Sequence, residues 1–255
     1  MSLPPTGHVE GTAAPAVPGY AIGVEPRCYA LVPCAGSGQR AGPGGPKQYR
    51  HVAGQPVVAH TLAALAAVPR LAATLVVLSP DDGQFEQALP GLDGNRLWTA
   101  RCGGATRAAS VCAGLDELIA RGAQPHDWVL VHDAARCLIT PALIDRLIDA
   151  CWIDEIGGLL ALPLADTLKA ASPDGRSAAT LDRSGKWAAQ TPQMFRLGLL
   201  RPALAHAGEG VTDEASAIES LGHAPLLVRG ALDNFKLTWP EDFALAERLL
   251  QVPGR

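Results

Sequence analysis

The chain has 255 residues, of which 48% are hydrophobic, and a formal net charge of -4. This is material for one large α/β domain or two small ones and argues against wholesale disorder. It excludes a whole-chain electrostatic footprint for nucleic acid or an anionic membrane, and no apolar run approaches membrane-spanning length. The expected partners therefore include no nucleic acid and no membrane.

Residues 1–27 are rich in Pro, Gly and Ala and read as a poorly ordered tail. They lack a basic start and a continuous apolar stretch, so no secretory signal is read and a cytoplasmic location is expected. Residues 28–255 read as a single domain. Its six cysteines make no C-x-x-C pair and fit no zinc spacing, so reduced, mostly buried thiols are expected.

The first strand is "CYALVPC" (28–34), short and almost continuously apolar, as when both sheet faces are covered. The glycine-rich tract "AGSGQRAGPGGPKQY" follows, with Arg40 and Lys47 as its charges. Residues 36–41 satisfy G-x-G-x-x-G/A, but "AGPGGP" cannot open the required helix. No acid occurs between Glu25 and Asp81 to hold a ribose. A P-loop fails because Pro46 and Gln48 flank Lys47 where Gly and Ser or Thr are needed. A loop that wraps a triphosphate, with Arg40 and Lys47 as clamps, best answers the charge pattern. A solvated loop with incidental charges stays open.

Further on, "VVAHTLAALAAV" (57–68) reads as a helix and "TLVVLSP" (74–80) as a strand. "CGGATRAASV" (102–111) is a small-residue turn that opens a helix over 106–122. Gly103 and Gly104 could admit a flat base there and Ser110 offers a hydroxyl, although a plain strand–helix turn fits equally well. "DWVLVHD" (127–133) reads as a buried strand ending in His132 and Asp133, with Arg136 close behind. A carboxylate at a strand's carboxyl end can hold Mg2+ against phosphates, or simply form a turn. His132 reads as structural.

A helix over 140–152 opens on Thr-Pro, and "GGLLALPL" (157–164) reads as a strand. Residues 165–193 are polar, contain Pro-Asp-Gly and Ser-Gly turns, and carry Lys169, Arg176, Arg183 and Lys186. They read as a hairpin-like excursion. "PLLVRG" (225–230) reads as a strand and "WPEDFALAERLLQ" (239–251) as a helix. Strand–helix alternation of this kind argues for a mostly parallel, doubly wound sheet with ligands at its carboxyl edge.

In order, "PCAGSGQRAGPGGPKQY", "GGATRAASV", "VHDAAR", "ADTLK", "DR" then "QTPQ", "TDEAS" and "DNFKLTWPED" resemble the 2-C-methyl-D-erythritol 4-phosphate cytidylyltransferase family over roughly residues 28–250. The resemblance implies a Rossmann-like α/β nucleotidyltransferase core, with a β-arm at about 165–189 that interlocks in a homodimer. It implies that CTP and 2-C-methyl-D-erythritol 4-phosphate are joined, with Mg2+, to 4-diphosphocytidyl-2-C-methyl-D-erythritol and pyrophosphate. Arg40 and Lys47 match residues that stabilise the transition state; Arg183 and Lys236 match those that position the acceptor phosphate. Asp133 matches the metal and acceptor carboxylate. Pro33, Cys34, Ala35, Gly36, Gly38, Gly104, Arg107, Ser110 and Ala134 match the CTP site. Thr167 and Arg183 would reach across the dimer, and Arg136, Thr191 and Thr212 would line the acceptor side. Cys34 and Cys137 depart from the family pattern without removing a charge. Other acceptors, such as ribitol phosphate or a sugar 1-phosphate, and a non-catalytic nucleotide-binding domain remain alternatives.

Overall fold

The computed structural model describes residues 25–36, 45–91, 95–208 and 211–252. Its strands are β1 (Cys28–Pro33), β2 (His51–Val52), β3 (Gln55–Pro56), β4 (Leu71–Val77), β5 (Leu97–Ala100), β6 (Trp128–Val131), β7 (Gly157–Pro163), β8 (Leu168–Ala171), β9 (Ser177–Leu181), β10 (Trp187–Arg196) and β11 (Leu226–Arg229). Its helices are α1 (Val57–Ala66), α2 (Phe85–Ala88), α3 (Arg107–Ala120), α4 (Pro141–Trp152), α5 (Leu197–Ala207), α6 (Glu214–Ser220) and α7 (Pro240–Leu250).

A seven-stranded sheet in the order β11-β7-β10-β6-β1-β4-β5 forms the centre. β10 runs antiparallel to β6 and β7, while the other neighbours pair in parallel. The fold is thus α/β with a mostly parallel sheet. The side-chain alternation of β1 shows why its sequence is apolar throughout. Cys28, Ala30 and Val32 pack with α1 and α4 on one face, and Tyr29 and Leu31 with α3, α5 and α6 on the other. Each face is a continuous apolar layer, and both layers meet the same strands.

Several helix ends are written in the local sequence. The side chains of Thr106 and Thr140 accept the backbone N–H of Ala109 and Leu143 at the starts of α3 and α4. Pro141 and Pro240 open α4 and α7, where a missing N–H costs nothing.

The sequence reading differs from the fold in several places, among them β5, α2 and α6, for which no element was read. β4 starts at Leu71 and stops at Val77, short of Pro80, so it lies a few residues earlier than expected. α5 was not read, and Pro202, which sits inside it, argues against a helix there. The polar excursion closes at Lys186, whose carbonyl accepts the N–H of Leu164 at 3.1 Å; Trp187 already belongs to β10. Within the excursion β8 and β9 form a separate two-stranded hairpin, turned at Pro173-Asp174-Gly175 with Gly175 at φ 80°. β9 is exposed throughout.

Candidate active site

A cavity of about 570 Å³ opens where β1 and β6 end, at the point where the strand order reverses, with β4 on one side of β1 and β6 on the other. Pro33, Cys34, Ala35 and Gly36 line it from the end of β1, and Asp133, Ala134 and Ala135 from the end of β6. Gly104, Ala105, Thr106, Arg107 and Ser110 come from the start of α3, Lys47 and Gln48 from a single 3-10 turn, and Lys236 from the segment before α7.

Asp133 is the centre of the charges. Its Oδ1 accepts from Arg107 Nε at 2.8 Å, and its Oδ2 lies 2.7 Å from Lys236 Nζ. Arg136 Nε is 3.9 Å from the same Oδ2. Burial would raise the carboxyl pKa, but the cations of Arg107 and Lys236 outweigh it and hold the group well below the usual carboxylate range. Behind Arg107 stands Glu214, whose side chain is fully buried. Arg107 turns its two terminal nitrogens onto the Glu214 oxygens at 2.7 and 3.0 Å, leaving Nε for Asp133. Burial raises the Glu214 carboxyl pKa, with Arg107 opposing it.

The loops are cross-braced. Lys47 Nζ donates to the carbonyl of Leu237 at 2.8 Å, which brings it to the segment that carries Lys236. The N–H of Leu237 donates to Ala135, and Arg136 donates to the carbonyl of Asn234 at 2.8 Å. His132 is buried and bridges Arg136 and Thr191. Its Nε2 faces the carbonyl of Arg136, which can only accept, so Nε2 carries the proton. Nδ1 then accepts from the Thr191 hydroxyl at 3.1 Å, and that hydroxyl accepts the N–H of Asp133 at 3.0 Å. The chain of bonds fixes the backbone of Asp133. Ser110 works similarly on the α3 turn: its Oγ accepts the N–H of Gly104 at 3.1 Å and donates to the carbonyl of Thr106 at 3.0 Å. A Cβ at Gly104 would meet that of Ala109 at 2.6 Å, so only glycine fits the turn.

Of the residues singled out in the sequence, Pro33, Cys34, Ala35, Gly36, Lys47, Gly104, Arg107, Ser110, Asp133, Ala134 and Lys236 share this cavity. Gly38 and Arg40 lie outside the described residues. Thr191 is buried in the network below Asp133, and Arg136 braces it from the side. Thr212 lines a smaller hollow on the far side of Arg107. Thr167 and Arg183 lie exposed on the excursion and do not line the cavity of their own chain. No role was read for Gln48 or Glu214, although they lie inside the motifs "PCAGSGQRAGPGGPKQY" and "TDEAS". Cys34 is buried, and desolvation pushes its thiol up to about 12. All six cysteines are free.

Cations converging at the carboxyl edge of a mostly parallel α/β sheet, around a cavity of nucleotide size, mark the chain as an enzyme of the nucleotidyltransferase class. The family model for 2-C-methyl-D-erythritol 4-phosphate cytidylyltransferase matches residues 28–252, and the chain belongs to that family. The family carries out the step of the non-mevalonate isoprenoid pathway that makes 4-diphosphocytidyl-2-C-methyl-D-erythritol.

A protein of that family name from Paraburkholderia phytofirmans is 56% identical over 234 residues, which cover 89% of this chain and 98% of the relative. A bifunctional enzyme IspD/IspF from Albidiferax ferrireducens is 64% identical over 227 residues, 89% of this chain; the chain spans about half, 54%, of that longer protein. A crystal structure of 4-diphosphocytidyl-2C-methyl-D-erythritol synthase superposes with a TM-score of 0.78 at 40% identity, covering 89% of this chain and all of that one. The Thermus thermophilus cytidylyltransferase superposes with a TM-score of 0.72 at 32% identity over 89% of this chain and 100% of its own.

Proposed function

We propose that the cavity binds CTP against residues 33–36 and the start of α3, and that the acceptor phosphate approaches from the side of Asp133 and Lys236. The observation that carries this reading is the carboxylate of Asp133 between Arg107 and Lys236 at the cavity floor. A phosphate oxygen of 2-C-methyl-D-erythritol 4-phosphate attacks the α-phosphorus in line. One P–O bond forms, the bond to the β-phosphate breaks, and pyrophosphate leaves with the electron pair. No protein nucleophile is needed. Lys47, with Arg40, stabilises the charge that builds on the triphosphate, while Lys236 holds the acceptor phosphate. In this reading, Arg107 holds Asp133 in place and Thr191 fixes its backbone through the bonds described above.

Among the described residues no three His, Cys, Asp or Glu side chains gather into a metal cage. Arg107 and Lys236 each hold one Asp133 oxygen, so Mg2+ would share this carboxylate with them and take most of its ligands from phosphates and water. The ion would screen the triphosphate charge. Arg183 and Thr167 complete the acceptor side in this reading, supplied by the arm of a second copy in a homodimer. A cytoplasmic setting agrees with the free thiols, and among the described residues no helix is long and apolar enough to cross a membrane.

The test is pyrophosphate release from CTP and Mg2+ with alternative acceptors. Release with 2-C-methyl-D-erythritol 4-phosphate and not with ribitol 5-phosphate is expected. Release with ribitol 5-phosphate alone overturns the acceptor, and CTP binding without release from either overturns catalysis.

A further inference from the structure

The glycine-rich tract begins at Ala35 and ends at Lys47, and one side chain joins its two ends. Gln48 is buried in the 3-10 turn Lys47–Tyr49 at the exit. Its Nε2 donates to the carbonyls of Cys34 and Gly36 at the entrance, each at 3.0 Å. A primary amide nitrogen has two hydrogens, so both bonds are complete. The entrance is otherwise held to the sheet by the N–H of Cys34 on the carbonyl of Val77, at 2.8 Å. The exit is held by the Tyr49 hydroxyl on Asp82 Oδ2 at 2.5 Å and by Lys47 on Leu237.

We propose that Gln48 is a positioning residue for the nucleotide: its amide is the clasp that sets Lys47 against the backbone of residues 34–36 before CTP arrives. Three observations fit this role. Cys34, Ala35, Gly36, Lys47 and Gln48 all face one cavity, so the clasp sets distances inside the site. Because a trans peptide places C=O and N–H on opposite sides, holding the carbonyl of Cys34 also fixes the direction of the Ala35 N–H. The chemistry needs this residue type, too. Glutamate has no donor when ionised, asparagine is one methylene short, and lysine would add a charge beside the clamp.

The inference rests on CTP being the ligand of this cavity, and it is tested by binding rather than turnover. Gln48→Glu keeps the shape and turns both donors into acceptors facing two carbonyls. Gln48→Met keeps the length without polarity. CTP affinity is measured by calorimetry, and the KM for 2-C-methyl-D-erythritol 4-phosphate at saturating CTP serves as the control. The expected result is a Kd for CTP raised at least tenfold in both variants, with the acceptor KM changed less than threefold. An additional expectation is that Gln48→Glu recovers affinity as pH falls, because the protonated carboxyl regains one donor. Unchanged CTP affinity in either folded variant overturns the proposal. So does a parallel rise in both constants, or failure of both variants to fold, each of which would make Gln48 a general structural residue. Failure of the functional reading is separate: it would show as wild-type protein that does not bind CTP.

Discussion

Asp133 stays ionised despite its burial because Arg107 and Lys236 each claim one of its oxygens. The neighbouring cations have different duties, and these can be separated. Lys47→Ala removes the positive charge that the proposed reading sets against the triphosphate, without touching the pair on Asp133. Turnover is expected to fall by ~10²–10³, the usual scale for one electrostatic stabiliser, with a smaller change in the KM for CTP. Near-native turnover in a steady-state assay would remove Lys47 from the transition state. His132 makes a second expectation. Burial pushes its pKa down to about 4, with the Asp133 charge opposing and Arg136 assisting. The unfolded chain takes up the proton near pH 6.5 and the folded chain resists it, so the unfolded state binds more protons in between. The stabilisation is complete above pH 6.5 and is lost as pH falls towards 4, by on the order of 3 kcal/mol. Urea titrations of wild type and His132→Asn across that window test this. The variant should show the shallower pH slope; equal slopes would assign the acid sensitivity elsewhere.

At the scale of elements, α3 matters most, since it carries Arg107 and Ser110 and lies directly on the sheet. Gly114 allows that approach. A Cβ there would stand 2.7 Å from Val77 Cγ2 and 2.8 Å from Leu31 Cδ1. Gly114→Val is expected to overpack the contact and cost about 1–3 kcal/mol in urea unfolding. It should also lower kcat/KM, because the helix start would shift relative to Asp133. Wild-type stability would mean that the strands below yield freely. Sequence patterning revealed strands buried on both faces, such as β1 and β6, and helices with local caps, such as α4, but also the exposed β11 and the uncapped α1. β10 was hidden because its first part reads as the end of the polar excursion over 165–193, and Pro192 gives no strand signal. In the fold the ladder with β7 skips from Ala189 to Gln193 and the ladder with β6 begins at Gln193, so the missing N–H of Pro192 costs no ladder bond. The same irregular stretch presents Thr191 beneath Asp133. Residues lining the cavity were legible where chemistry and strand ends coincide, as at Asp133 and Gly36. Glu214 was not, since its role depends on a partner 107 positions away.

At the scale of the whole molecule, the question is whether one chain holds a complete site. The cavity gathers Lys47, Arg107, Asp133 and Lys236, but Arg183 sits in the exposed turn between β9 and β10. Exposed polar hairpins are poorly stabilised alone, and β8–β9 is a two-stranded sheet with no third strand. In the proposed reading this hairpin is an arm that packs on another copy. The expectation is that Lys47→Ala and Arg183→Ala are each inactive as pure proteins. Mixed under conditions that exchange subunits, they should recover activity. A heterodimer would place the intact Lys47 of one chain opposite the intact Arg183 of the other, giving one complete site of two. Random exchange of equal amounts then makes about half the dimers hybrid, so roughly a quarter of wild-type activity is the ceiling. Mass spectrometry of the native mixture would establish that hybrids exist. If they do and activity stays at the level of the separate variants, Arg183 acts within its own chain or not at all, and the composite site is wrong.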